Sequence, residues 1–298
     1  MKKGYKRLVW GTGTVFLLLL ISTGLIYWIS ESRLNHIIFI EPHAPTIPGD
    51  SVSIARGKHI SEIRGCRQCH GENLAGHLVV DVPGIFRIHA SNITGGKGGL
   101  PADYSDDDWE RAIRHGRKPD GKPLLFMPVS EFNKLSDEDV ASLIAYLKSL
   151  PPVDNELPEQ EFTLIARALY LFGKLPLLPA GELKPDITHN PAPPAGVTKE
   201  YGAYLAIGCR DCHGADFKGG PIPGGPPDWP VAPDLTPTGN LSEWGKQGFI
   251  RAMRSGHKPD GTPIREPMPT QLLANMTDDE LSALWLYLQS LTSTPISK

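Results

Sequence analysis

The chain has 298 residues and a formal net charge of −3, with 30 Lys and Arg against 33 Asp and Glu. Such a balance gives no electrostatic reason to bind nucleic acid, whose backbone is held by clustered Lys and Arg. Its 31 Gly and 29 Pro predict many loops. Its four Cys allow at most two cross-links to stiffen them.

Lys2, Lys3, Lys6 and Arg7 precede an uncharged run of 22 residues, Leu8 to Ile29. At 1.5 Å per residue this run can cross a hydrocarbon core of about 30 Å. A cleaved secretion signal has a shorter apolar core ending in a small-x-small site. Ser22-Thr23-Gly24 offers a weak one, but apolar sequence continues to Tyr27, Trp28 and Ile29, and the aromatics suit a membrane–water boundary. The expectation is a retained N-terminal anchor over 1–30. Basic residues before it and Glu31 after it predict a cytoplasmic N-terminus with the remainder outside. Residues 31–52 carry Pro42, Pro45, Pro48 and Gly49 and read as a tether. His36 and His43 within it receive no role.

A first domain is expected over 53–153. A short helix, Ile54 to Ile60, leads into Cys66-Arg67-Gln68-Cys69-His70. CxxCH is the attachment signature of a c-type haem. Two thiols three residues apart on one helical turn can each form a thioether with a vinyl group of one porphyrin, and the adjacent imidazole falls beneath the iron. A lone CxxC would read equally as a zinc knuckle or a redox dithiol. Here the motif recurs as Cys209-Arg210-Asp211-Cys212-His213, and there is no other Cys. Zinc-binding pairs usually lie about 12–20 residues apart, whereas these are separated by well over a hundred. Two covalent haems follow.

After Gly71 the chain reads as an irregular passage with Pro83, Gly84, Gly95, Gly96, Gly98 and Gly99. Helical spacing resumes from Asp106 to His115 and is stopped by Gly116. Lys118-Pro119-Asp120-Gly121 makes a turn, and Leu124 to Pro128 an apolar loop. Ser136 caps a last helix whose buried stripe is Val140, Leu143, Ile144 and Leu147. A linker over 154–197 holds one helix, Glu161 to Leu175, with an apolar face of Phe162, Ile165, Ala166, Leu169, Tyr170 and Phe172. It reads as a helix packed between the domains, with a membrane or partner surface as the sharper possibility. A second domain, 198–298, repeats the plan: Gly202 answers Gly57, Phe249 to Gly256 answers Trp109 to Gly116, Lys258-Pro259-Asp260-Gly261 repeats the turn, and Thr277 to Glu280 is a capping box. The long linker predicts separate cores.

Each iron keeps one axial position beyond its proximal His70 or His213. A thioether ligand favours the ferrous state and raises the potential, whereas an open position permits peroxide chemistry. Met127 and Met268 both follow the Lys-Pro-Asp-Gly turn, both precede Pro, and stand 57 and 55 residues after their His. They are the expected sixth ligands. Met253, at the position matching Ile113, reads as core, and Met276 has no Met counterpart in the first half and precedes a helix cap. His59, His77 and His89 have no His counterparts in the second half, and His115 and His257 align with Ser255 and Arg117, which disfavours bis-His ligation. Asn92, Thr94, Asp234 and Thr236 read equally as turn caps or haem-edge donors. Arg114, Arg117, Lys118, Arg254 and Lys258 read as solvated loop charges.

Two CxxCH–Met units, Asn92-Ile93-Thr94, Trp109, the Met127-Pro128 and Met268-Pro269 loops and the ending Leu147 to Val153 resemble class I cytochrome c domains. They are similar in particular to the cytochrome subunits of membrane-bound bacterial alcohol and aldehyde dehydrogenases. The resemblance implies an all-α fold, an N-terminal transmembrane helix followed by two tandem haem domains. It also implies an electron carrier, not an enzyme, on the outer face of a bacterial inner membrane. Its partners would be a periplasmic dehydrogenase, a terminal oxidase or another cytochrome. The expected haem contacts are Cys66, Cys69, His70 and Met127, then Cys209, Cys212, His213 and Met268. The competing readings are a dihaem peroxidase-like enzyme with one exchangeable axial site, and a haem subunit with no activity outside a larger dehydrogenase.

Overall fold

The computed structural model describes residues 2–175, 177–178, 191–225 and 228–291. The second Pro-rich end of the linker and the last seven residues lie largely outside them. Helix α1, Lys2–Leu34, contains the uncharged run. Among the described residues it is the one helix long and apolar enough to cross a membrane, with a mean hydropathy of 1.9 and none of that window buried. It continues four residues past the expected limit, and its last turn enters the folded body: Leu34 is buried with Ile88 and Leu177.

The first half contains α2 (Ser51–Ile63), α3 (Cys66–His70), α4 (Asp106–His115), α5 (Val129–Phe132) and α6 (Asp137–Lys148). Helix starts follow local chemistry. The Asp50 carboxylate accepts from the Ser53 amide, Ser105 and Asp108 form a reciprocal capping box, and Ser136 caps the Asp139 amide, each satisfying amides that a helix start leaves unpaired. Gly116 ends α4 at φ 59°, a left-handed position that costs glycine little. The core is the crossing of α2 on α6, where Ile60, Val140, Leu143, Ile144 and Leu147 bury with Trp109 and Ile113.

The second half repeats this with α8 (Lys199–Leu205), a 3₁₀ turn (Ala206–Cys209), α9 (Arg210–His213), α10 (Gly245–Ser255), α11 (Thr270–Leu273) and α12 (Asp278–Ser290). Thr277 and Glu280 make the expected capping box. Leu205, Phe249, Leu281, Leu284 and Leu288 form the core, with Met253 and Met276 also buried there.

The structure amends four expectations. The protein is mostly helical rather than all-α, because β1 (His77–Val82) and β2 (Phe86–Ala90) form a hairpin in the passage read as irregular. Strand β3 (Glu161–Phe162) joins from the linker. Pro83-Gly84 supplies the turn, with Gly84 at φ 75° and the Ile85 amide bonded to the Val82 carbonyl, the pattern of a Pro-Gly type II turn. Second, the linker helix α7 (Leu164–Leu171) packs on the end of α1, not between the two halves. Arg167 pairs with Glu31 at 2.8 Å and lies 4.4 Å over the Tyr27 ring. Third, the two cores touch. Ile63 of the first half belongs to the second cluster, and Tyr204 packs against both. Nor do residues 31–52 float free: the Ile38 amide bonds to the Gly121 carbonyl, and Ile47 packs on the first core.

Candidate haem-attachment sites

Each CxxCH forms one short turn of helix, entered from Gly65 at φ 77° in the first half and from the 3₁₀ turn in the second. The turn turns its first cysteine inward. Cys66 packs against the first core and Cys209 against the second. No disulfide joins any of the four cysteines. Burial pushes the Cys66 thiol up to about 11 and Cys209 up to about 12. A redox dithiol needs the opposite, a thiol lowered by neighbouring cations or a helix N-terminus, so these pairs do not fit that reading. Among the described residues no group of three or more His, Cys, Asp or Glu could hold a metal ion.

The two histidines share one geometry. The Nδ1–H of His70 donates to the Ser91 carbonyl at 2.8 Å, and that of His213 to the Pro233 carbonyl at 2.9 Å. A carbonyl can only accept, so Nδ1 carries the proton and Nε2 keeps its lone pair, the arrangement that orients an iron-binding imidazole. Burial lowers both pKa values, against the rise caused by each backbone bond, and keeps the rings neutral. Sequence reasoning did not find Ser91 and Pro233, since a backbone acceptor leaves no side-chain signal.

Met127 packs against the same apolar cluster as Cys66, and Met268 against the same cluster as Cys209. The structure therefore brings each expected thioether to the core that holds its own CxxCH. Of the competing histidines, His59 contacts Glu280 across the halves at 2.8 Å, and His115 contacts Glu110 at 3.2 Å. Asn92 and Thr94 tie loops: Asn92 and Thr94 both donate to the Val153 carbonyl, and Asp234 accepts from the Thr236 amide. Two expected surface charges are buried. Arg114 is 1% exposed and pairs with Asp137 at 2.7 Å, while Arg117 donates to the His36 carbonyl.

The two attachment turns meet across a shared wall. Glu131, four residues after Met127, lies against Gly208, where a Cβ would sit 2.7 Å from its carboxylate oxygens. Leu272, four residues after Met268, lies against Gly65, where a Cβ would sit 3.0 Å from it. Each Met loop thus seats its short helix, α5 or α11, on the glycine that opens the other half's motif. Arg64 is 8% exposed here, paired with Glu131 at 2.8 Å and donating to the carbonyls of Tyr204 and Leu205.

Paired thiols, a proton-locked imidazole and a thioether, repeated in two helical cores, define the class of c-type haem proteins. The chain belongs to the cytochrome c family, whose model matches residues 54–151 and 200–292, and haem c is the cofactor of that family. Among characterised proteins it is similar to the cytochrome c subunit of the quinone alcohol dehydrogenase of Gluconacetobacter polyoxogenes, at 29% identity over 86% of this chain and 59% of the relative. It is similar to the fructose dehydrogenase cytochrome subunit of Gluconobacter japonicus, at 28% identity over 80% of this chain and 52% of the relative. A diheme c-type cytochrome of Cereibacter sphaeroides shares 25% identity over 69% of this chain and 74% of its own length. The chain spans between half and three-fifths of the first two relatives.

Proposed function

We propose that this protein is a membrane-anchored dihaem cytochrome that carries single electrons from a periplasmic dehydrogenase towards the respiratory chain. Two haem c groups, when bound, supply two one-electron Fe(III)/Fe(II) couples. In the first domain, 53–153, Cys66 and Cys69 would attach one group and His70 and Met127 would bind its iron. In the second, 198–298, Cys209, Cys212, His213 and Met268 would do the same. Helix α1 crosses the inner membrane with its N-terminus in the cytoplasm, and both domains face the periplasm.

The observation that carries the reading is the matched lock on His70 and His213. A free Nε2 in both halves, each with a methionine on the same core, supports two ligand pairs over one pair and one open site. The residues act by holding geometry. The carbonyls of Ser91 and Pro233 fix the imidazole planes, so little reorganisation accompanies gain or loss of an electron. Met127 and Met268 would bind the irons and so close them to peroxide. The shared wall of Glu131 and Leu272 keeps the two attachment turns adjacent, which favours exchange between them.

A haemochrome assay on the purified protein should return two haems per chain, and the ferric absorption spectrum of the protein as isolated should show both low-spin. Purification from mild detergent should recover a cofactor-bearing dehydrogenase with it. A high-spin haem that turns over peroxide would replace the carrier reading with the peroxidase one.

A further inference from the structure

Helix α7 has a side that electron transfer leaves unused. Its inner residues turn to the anchor: Ala166 is fully buried, and Arg167 reaches Ser30 at 3.0 Å and Glu31 at 2.8 Å. At about 100° per residue, Leu164, Ala168, Phe172, Ile165 and Leu169 fall on one continuous arc of about 140°. Every residue of that arc is apolar, and Leu164, Ile165 and Phe172 are 39%, 56% and 76% exposed. Scattered apolar residues need no explanation, but a contiguous stripe marks a contact surface.

Its position identifies the occupant. The uncharged run of α1 ends at Ile29, while the helix continues to Leu34. That interval rises about 8 Å, close to the depth of the polar zone of one leaflet, about 5–8 Å. Ser30 and Leu34 are buried in the folded body, so no slack separates body from anchor. By gripping Tyr27, Ser30 and Glu31, α7 is held at the level where the span leaves the hydrocarbon. Lys174, two residues beyond Phe172 of the stripe, is an exposed cation, as basic residues often are at a bilayer boundary.

We propose that the outward face of α7 lies in the headgroup–acyl boundary of the same bilayer that α1 crosses, with lipid rather than protein as its occupant. This rests on the anchor reading. Eight residues would not hold a free protein on a membrane. Linked to an inserted helix, they need only orient it, because the surface is already at high effective concentration. Two points of contact would then fix the tilt of the first haem domain and the face it presents to partners.

The test uses the full-length holoprotein in nanodiscs containing a lipid with a photoreactive group near its glycerol backbone. Peptide mapping should find lipid adducts on residues 161–174 as well as on α1. The double variant I165E/F172E should lose the α7 adducts while keeping those on α1 and an unchanged haem spectrum. Adducts on α1 with none on α7 in the wild type overturn this proposal and leave the anchor intact. Adducts on neither overturn the anchor reading itself. Amide protection of 164–172 that appears only with a co-purified protein makes the face a subunit contact instead.

Discussion

At the scale of residues, the axial methionines decide whether this protein carries electrons or does chemistry. Met127→Ala should convert one haem to high spin and leave the other unchanged, and Met268→Ala should do the reverse. Each should lower the potential of its own haem, since the thioether that favours the ferrous state is gone, and each should gain carbon monoxide binding. Redox titration with spectra of both variants checks this; an unchanged spectrum in Met127→Ala would mean another side chain holds that iron. These residues were legible because covalent attachment and axial ligation fix residue type and spacing. The carbonyls of Ser91 and Pro233 were not, since any residue supplies a carbonyl. Nor was the burial of Arg114 and Arg117, because a loop arginine looks the same in sequence whether it meets water or, like Arg114, the carboxylate of Asp137.

At the scale of elements, each half is set by one close helix crossing. A Cβ on Gly57 would lie 1.8 Å from the Ser142 carbonyl oxygen, and one on Gly202 would lie 2.0 Å from that of Ala283. Both glycines let α2 and α8 approach α6 and α12 at backbone contact. The recurrence of Gly at this place was visible in the repeat, although its reason was not. Helix propensity would favour Ala at either site by about 1 kcal/mol, but the clash is with rigid backbone, and overpacking of that kind costs about 1–3 kcal/mol. The clash should win. Gly57→Ala and Gly202→Ala are expected to lower the denaturation midpoint, each mainly in its own half as followed by that half's haem absorbance. The helices were readable from caps and stripes. The β1–β2 hairpin is hidden in the sequence because Pro83-Gly84 serves equally as loop punctuation, although Leu78, Val80 and Val82 before it and Ile85, Phe86 and Ile88 after it carry a strand pattern. The docking of α7 on α1 follows from Arg167 meeting Glu31 and Tyr27, a contact between residues 136 positions apart that no local pattern encodes.

At the scale of the molecule, two repeats expected to be independent share a charged interface, and its two ion pairs make separate predictions. The Glu280 hydrogen bond raises the pKa of His59 above 6.5, against burial, with Glu62 adding to the rise and Arg56 opposing it. For Glu280, burial raises the pKa, but the His59 and Thr277 bonds outweigh it and leave the value lowered; Tyr201 also donates to this carboxylate. The His59 contribution is therefore complete below the free imidazole value and fades as pH climbs through the raised one. The Glu280 contribution fades as pH falls through its lowered one. Stability of the wild type should decline between neutral and mildly alkaline pH relative to His59→Gln, as read from denaturation midpoints across that range. The second pair, Arg64 with Glu131, is more deeply buried and stands where the other repeat has Ile207 and Leu272. Removing one member strands the other's charge in a dry wall, at a cost of about 3–5 kcal/mol. Arg64→Ile leaves the Glu131 carboxylate against Gly208, and Glu131→Leu leaves a buried guanidinium. The double variant copies the opposite repeat and strands no charge. It loses only the two bonds from Arg64 to the carbonyls of Tyr204 and Leu205, worth about 1 kcal/mol each. Both single variants should therefore be less stable than the double, a reversal of additivity expected only for residues in direct contact. Denaturation of all four proteins measures it. Simple additivity would instead show that the charges of Arg64 and Glu131 are not coupled in the wall.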